Sequence, residues 1–296
     1  MDIGSAKPSP EELKKVPHHL VNIIQPNELY SVADFCRAVH FLIPEIFARG
    51  HYPLLVGGTM MYFNALYQGL DGLPSRNEKI RSELDSLLKT KGVEALYAVL
   101  EKLSPSKAEK INPTDTQRLI RSLELAYLHQ LDQKKIQSVQ QEGFENSDSS
   151  DNSDNSDNSE LFSFISLNQN YHIRAIGLLP QDIPWQRARI QQRFDSMLSA
   201  GFLEEIQQLK VNYGLDLNDD TKKNLPAMRA VGYRQAFEYL AGRYDFNSFC
   251  ERAVTATAQL AKRQRTWLRG FDWTEKLDPK SLGFSVILDC WRCFMD

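Results

Sequence analysis

The chain has 296 residues, 42% of them hydrophobic, and 35 basic against 38 acidic side chains give a formal net charge of −3. That length suits one large α/β domain or a domain carrying an insertion. No apolar run approaches the roughly 18 residues of a membrane span, and Met1–Lys15 has no signal-type apolar core, so a cytoplasmic protein without a membrane partner is predicted. Four scattered cysteines, Cys36, Cys250, Cys290 and Cys293, exclude a disulfide framework.

In chain order, His18-His19 resembles a metal pair, but neighbouring side chains on a strand point to opposite faces, so both read as structural. Val21–Ile24 and Leu54–Val56 are short apolar runs that read as buried strands. The second ends in Gly57-Gly58-Thr59, and a helical pattern begins at Met60. A glycine turn at a helix start lets an anion approach the first helical N–H groups, with the Thr59 hydroxyl at the cap position.

Residues 75–140 read as helical, with apolar spacing over Lys79–Lys89 and Val93–Leu103. Thr114-Asp115-Thr116-Gln117 fits a capping box opening another helix, with Leu119, Leu123 and Tyr127 along one face. Arg118 and Arg121 lie opposite Leu119 and Leu123. Asn146–Glu160 is a near-perfect Asn-Ser-Asp triplet repeat without an apolar residue, so a disordered acidic loop is predicted over 142–164. Residues 142–160 alone carry −7, which leaves +4 on the rest of the chain. A flexible acidic run has no fixed oxygen cage and is not read as a cation site.

Beyond it, Ile173–Leu179 reads as a buried strand, followed by helical pattern from Trp185 to about Leu240 with a break near Asn212–Pro226. A last long helix is expected from about Phe249 to Leu268. Cys290-Trp291-Arg292-Cys293 has no second ligand pair nearby and reads as two reduced thiols. Strand signals on both sides of a helical middle predict an α/β fold with a parallel sheet. Its core would be residues 1–74 and 165–296, its helical insertion 75–141 and its acidic loop 142–164.

Three segments concentrate positive charge. Lys262–Arg269 holds four cations and no acid, and on a helix Lys262, Arg265 and Arg269 share a face while Leu260, Ala261, Trp267 and Leu268 can turn to the core. Arg229-Ala230-Val231-Gly232-Tyr233-Arg234 offers two arginines to phosphates and a tyrosine to a base, or else is a helix start with surface arginines. Gln117–Arg121 is the third. Together they favour a polyanionic partner over a small neutral substrate.

Taken in order, MDIGSAKP (Met1–Pro8), PHHL (Pro17–Leu20), YSVADF (Tyr30–Phe35), PLLVGGTMMYFNAL (Pro53–Leu66), TQRLIRSLE (Thr116–Glu124), MRAVGYRQ (Met228–Gln235) and AKRQRTWLRG (Ala261–Gly270) resemble the tRNA dimethylallyltransferase family. The resemblance implies a fold like that of P-loop nucleotide kinases with a helical insertion. It implies transfer of a dimethylallyl group from dimethylallyl diphosphate to the exocyclic amine of the tRNA adenine 3′-adjacent to the anticodon, with Mg²⁺. A monomer is expected. The implied tRNA contacts are Thr59, Arg81, Gln117, Arg118, Leu119, Ile120, Arg121, Arg229, Ala230, Val231, Gly232, Tyr233, Arg234, Lys262, Arg263, Gln264, Arg265, Thr266, Trp267, Leu268 and Arg269.

It also implies a G-x-T-x-S-G-K-[ST] phosphate loop and a general-base aspartate ahead of Met1–Gly4, and neither motif is among these 296 residues. The expectation is therefore an incomplete sheet with its N-terminal strands missing and apolar surface exposed. No catalytic or metal-binding residue is assigned, and no prenylation is expected by these residues alone. Two other readings are a non-catalytic tRNA-binding remnant and an adenylate isopentenyltransferase, which acts on a free nucleotide and has no need for three tRNA-contact segments.

Overall fold

Local capping signals place most of the helices. Ser9, Ser31, Asn77, Asp182 and Asp245 each accept a hydrogen bond from the backbone N–H three residues on, a contact worth about 1 kcal/mol per helix start. In this computed structural model the structure describes residues 1–74, 76–142, 162–164, 166–219, 222 and 225–281. The Asn-Ser-Asp repeat and the Cys290/Cys293 pair lie outside them.

The elements in order are α1 (Pro10–Lys15), α2 (Val32–Ala48), α3 (Met60–Gln68), β1 (Leu70–Leu73), α4 (Glu78–Leu103), α5 (Pro105–Ala108), α6 (Thr116–Glu142) and β2 (Phe162–Phe164). They continue with α7 (Leu167–Asn170), β3 (Ile176–Leu178), α8 (Ile183–Ser199), α9 (Phe202–Tyr213), α10 (Pro226–Arg229), α11 (Tyr233–Leu240), α12 (Phe246–Arg269) and β4 (Glu275–Leu277). The chain divides into two units, Met1–Gln68 with Ser166–Asp296, and Gly69–Ile165.

In the first unit α8, α9, α11 and α12 bury Phe194, Phe202, Ile206, Phe237, Phe249 and Val254 in one cluster. The Phe249 ring meets Phe194 edge-on at 5.5 Å and stacks on Tyr239 at 5.2 Å. A smaller cluster of Leu179, Leu268 and Phe271 lies where β3 and the end of α12 meet. β3 and β4 pair in parallel, Ile176 opposite Glu275 and Leu178 opposite Leu277.

The second unit is built on α4 and α6. Ile80, Leu84, Leu96 and Leu100 pack with Leu119, Leu123 and Leu128, and α4 breaks at Gly92 (φ 78°), between the two helical runs read from sequence. β1 and β2, also in this unit, pair antiparallel.

Five expectations need correction. The parallel sheet expected from three strand signals is reduced to the β3–β4 pair: among the described residues there are only two two-stranded sheets, and the other, β1–β2, is antiparallel. Val21–Ile24 is not a strand, because Leu20 (φ 60°) and Asn22 (φ 58°) take left-handed backbone conformations that interrupt an extended run. Leu54–Val56 is neither a strand nor buried, with Leu54 73% and Val56 85% exposed and no ladder partner among the described residues. Residues 162–164, read as loop, form β2, while the run from Ile173 to Leu179 is strand only over Ile176–Leu178. No helix of the described residues is long and apolar enough to cross a membrane.

Candidate nucleic-acid interface

The end of α12 carries the strongest charge. Leu268 is buried against Leu179 and Phe271 and anchors this turn. Helical spacing then turns Lys262, Arg263, Thr266 and Arg269 outward, all four exposed. Lys262, Arg263 and Arg269 form no ion pair among the described residues. Trp267, expected in the core, is instead 45% exposed, its ring edge-on to Phe271 at 6.2 Å. Phe271 stacks on Trp273 at 4.7 Å and Trp273 on Tyr67 at 4.2 Å, so the indole sits at the open end of an aromatic column.

Two members of this run face inward to hold the scaffold. Arg265 does not share the exposed face of Lys262 and Arg269; it is half-buried and its guanidinium donates to the Gln186 side chain on α8. Gln264 donates from Nε2 to the Gly58 carbonyl at 2.8 Å, fixing the Gly57-Gly58-Thr59 turn against α12. A Cβ on Gly58 would lie 2.5 Å from that nitrogen, so only glycine fits without displacing Gln264. Thr59 is exposed, directly ahead of the first turn of α3.

The run Arg229–Arg234 is mixed. Arg229 and Arg234 are exposed, and Arg234 pairs with Glu238 at 3.1 Å. Ala230, Val231 and Gly232 are half-buried. Tyr233 is 1% exposed and cannot stack on an incoming base. Its ring packs edge-on against Phe202 at 5.2 Å, and its hydroxyl donates to Glu205 Oε1 at 2.5 Å. The other Glu205 oxygen accepts from the backbone N–H of Asp2 at 2.6 Å and of Ile3 at 2.8 Å. Burial alone would raise the Glu205 pKa, but the bonds from Tyr233 and from the N–H groups of residues 2–4 hold it below its ordinary value. Burial first and then Glu205 drive the Tyr233 phenol far upward, so it stays protonated and donates. Gly4 is obligatory here, since a Cβ would come within 2.2 Å of the Phe202 ring and 2.7 Å of the Tyr233 ring.

In the second unit the cap of α6 is Asp115, whose carboxylate accepts from Arg118 N–H at 3.2 Å, rather than Thr114. Gln117 and Arg118 are exposed, Arg118 pairing with Asp115 at 3.3 Å; Ile120 is half-buried and Leu119 fully buried in the core. Arg81 and Arg121 converge on Glu124, which is fully buried. Glu124 accepts from Arg81 Nε at 3.1 Å and Nη2 at 3.0 Å, from Arg121 Nη1 at 2.7 Å and from Asn77 N–H at 2.7 Å. Burial would raise its pKa, yet these donors keep it below the ordinary carboxylate range.

Glu205, Glu124 and Gln186 were missed by sequence reasoning. Glu124 follows Arg121 by three residues, a spacing that signals a helical ion pair. Glu205 and Gln186 meet partners far away in sequence and leave no local signal.

A helix-packed chain with a small parallel sheet and an exposed basic, aromatic helix end has the features of a nucleic-acid-binding α/β protein. The sequence pattern of the IPP transferases matches residues 1–271, and the chain belongs to that family. It is 41% identical to the tRNA dimethylallyltransferase of Legionella pneumophila (strain Paris), over 97% of this chain and 82% of the relative. It is 42% identical to the tRNA dimethylallyltransferase of Cupriavidus necator, over 91% of this chain and 76% of the relative. Its structure matches the full-length tRNA isopentenylpyrophosphate transferase from Bacillus halodurans with a TM-score of 0.60 at 29% identity, over 100% of this chain and 82% of that one.

Proposed function

We propose that the chain acts in tRNA modification as a tRNA dimethylallyltransferase. The exocyclic nitrogen of the adenine 3′-adjacent to the anticodon bonds to C1 of the dimethylallyl group, the C1–oxygen bond breaks, diphosphate leaves, and the nitrogen gives up a proton. The observation that carries this reading, in a chain of this family, is the end of α12. Lys262, Arg263 and Arg269 are exposed, have no carboxylate partner among the described residues, and flank an exposed Trp267. Unpaired cations beside an aromatic face suit phosphates and an unstacked base.

On this reading the contact set is Thr59 with the α12 cations, Trp267 and Thr266, then Arg229 and Arg234, and in the second unit Arg81, Gln117, Arg118 and Arg121. Gln264, Arg265, Leu268, Tyr233, Leu119 and Ile120 act beneath the surface. β3 and β4 belong to the parallel sheet of a P-loop-kinase-like domain, with 1–74 and 165–296 as its core and 75–141 as its helical insertion. The protein works as a cytoplasmic monomer.

The family implies Mg²⁺. Among the described residues no three His, Cys, Asp or Glu side chains converge as metal ligands, so those residues do not fit the ion on their own and no step is derived through it. The contact residues named above are assigned tRNA capture and base presentation, and the resemblance places the diphosphate on a phosphate-loop motif that they do not include.

The test is binding of an in vitro-transcribed tRNA by the chain, with AMP as competitor, followed by nucleoside mass spectrometry after incubation with dimethylallyl diphosphate. Salt-dependent tRNA binding that AMP does not compete is expected. Binding of AMP in preference to tRNA would replace this reading with an adenylate isopentenyltransferase. Prenylated adenosine from these residues alone would show that donor binding does not need the motif.

A further inference from the structure

The arrangement around Glu124 goes beyond a pair of surface arginines. Arg81 projects from the first turn of α4 and Arg121 from α6, and one carboxylate joins them. Arg81 binds it as a fork, Nε to Oε1 and Nη2 to Oε2, while Arg121 Nη1 also reaches Oε2. The second arm of Arg121 donates to the Pro74 carbonyl at 2.8 Å, and Asn77, whose N–H occupies Glu124 Oε1, caps α4 through its own side chain. Both guanidiniums are thereby fixed at one edge. The arginine side chains remain 24% and 33% exposed while Glu124 is wholly enclosed. A buried carboxylate facing two cations leaves this spot with a net +1 and two guanidiniums whose outer N–H groups point from a defined position, rather than two arginines moving independently on long stems.

We propose that Glu124 is a positioning residue for tRNA: it holds Arg81 and Arg121 in one geometry so that they engage the phosphate backbone as a unit. This rests on the reading of Arg81 and Arg121 as tRNA contacts. The proposal makes a prediction opposite in sign to simple charge. Glu124→Gln removes a negative charge and raises the local charge to +2, so Coulomb attraction alone makes a polyanion bind more tightly. Loss of the clamp makes it bind more weakly, because the amide NH2 of glutamine cannot accept from a guanidinium. Bidentate arginine geometry is also what lysine cannot supply.

The experiment measures tRNA affinity against salt concentration for the wild type, Glu124→Gln, Arg81→Ala, Arg121→Ala and the double arginine variant, with a thermal melt to establish that each is folded. Each phosphate contact contributes about 0.7–0.9 to the slope of log K against log salt. Glu124→Gln is expected to weaken binding about tenfold and to lower the slope by about one to two contacts, and to have no further effect in the double arginine background. A purely structural role lowers the melting temperature and leaves the slope of the folded protein unchanged. Unchanged or tighter binding by folded Glu124→Gln, with the arginine variants weakened, overturns the positioning role alone. If Arg81→Ala and Arg121→Ala bind as the wild type does, the tRNA-contact reading of these arginines fails first. Should Glu124→Gln not fold, Arg81→Lys and Arg121→Lys decide. They keep the charge but lose the held fork, so affinity falls to that of the alanine variants if geometry matters and stays at the wild-type value if charge alone does, which again overturns the proposal.

Discussion

Tyr233→Phe isolates one hydroxyl. The ring keeps its place against Phe202, so the only loss is the 2.5 Å donation to Glu205. A hydrogen bond to a charged acceptor is worth about 1.5–3 kcal/mol, and burial of the tyrosine places this one in the upper half of that range. A loss of about 2.5 kcal/mol lowers the melting temperature of a domain of this size by roughly 5–10 °C. Acid sensitivity should change as well. Glu205 has a depressed pKa when folded, so its contribution is fully present above its ordinary value near 4.5 and is lost as pH falls through the folded-state pKa. Without the tyrosine donor the folded pKa moves back toward the unfolded one, and the acid-induced loss of stability shrinks. The assay is thermal denaturation from neutral pH down to about pH 3, through the window below the ordinary Glu value in which the loss falls, run as a double-mutant cycle with Glu205→Gln, in which a coupling energy of about 1 kcal/mol or more is expected. A melting temperature within about 1 °C of wild type, or strictly additive effects in the cycle, would refute the clamp as a source of stability.

Lys262→Ala, Arg263→Ala and Arg269→Ala should each weaken tRNA binding and reduce the salt slope by about 0.7–0.9, with melting temperatures unchanged because all three side chains are exposed and have no ion pair among the described residues. Gly58→Ala should drive the Gln264 side chain off the Gly58 carbonyl, at a cost of about 1 kcal/mol, and adding Gln264→Ala should cost little more, since the bond is already gone; a melting curve for the pair checks this. Cys36 is enclosed and burial pushes its thiol up to about 11, so native alkylation near neutral pH followed by mass mapping should leave it unmodified until the protein is denatured.

Helices were legible in the sequence wherever periodicity and a capping residue coincided. The last helix was placed within three residues at its start, and the break at Gly92 separates the two apolar runs read there. The strands were less legible. An apolar run such as Leu54–Val56 states that burial is favourable, but a ladder also needs a partner strand, and none of the described residues provides one. The charge on α12 was visible because exposed cations need no partner. The direction of each side chain was not, which is why Trp267 and Arg265 exchanged their expected places.

Two carboxylates, Glu124 buried and Glu205 half-buried, explain why the basic runs are not uniform contact surfaces. Glu205 ties the backbone of residues 2–4 to Tyr233, and Glu124 ties Arg81 to Arg121. In each case a residue inside a basic run is held by an acid outside that run. Tyr233 spends its one donor inward and is enclosed, so it sets where Arg229 and Arg234 emerge on either side of it. Arg81 and Arg121 spend part of their donor set inward and keep the rest at the surface. Substitution should therefore separate the runs into two behaviours: loss of affinity at constant stability for Lys262, Arg263 and Arg269, and loss of stability for Tyr233. Glu124 stands between them, because it touches no solvent yet governs two groups that do.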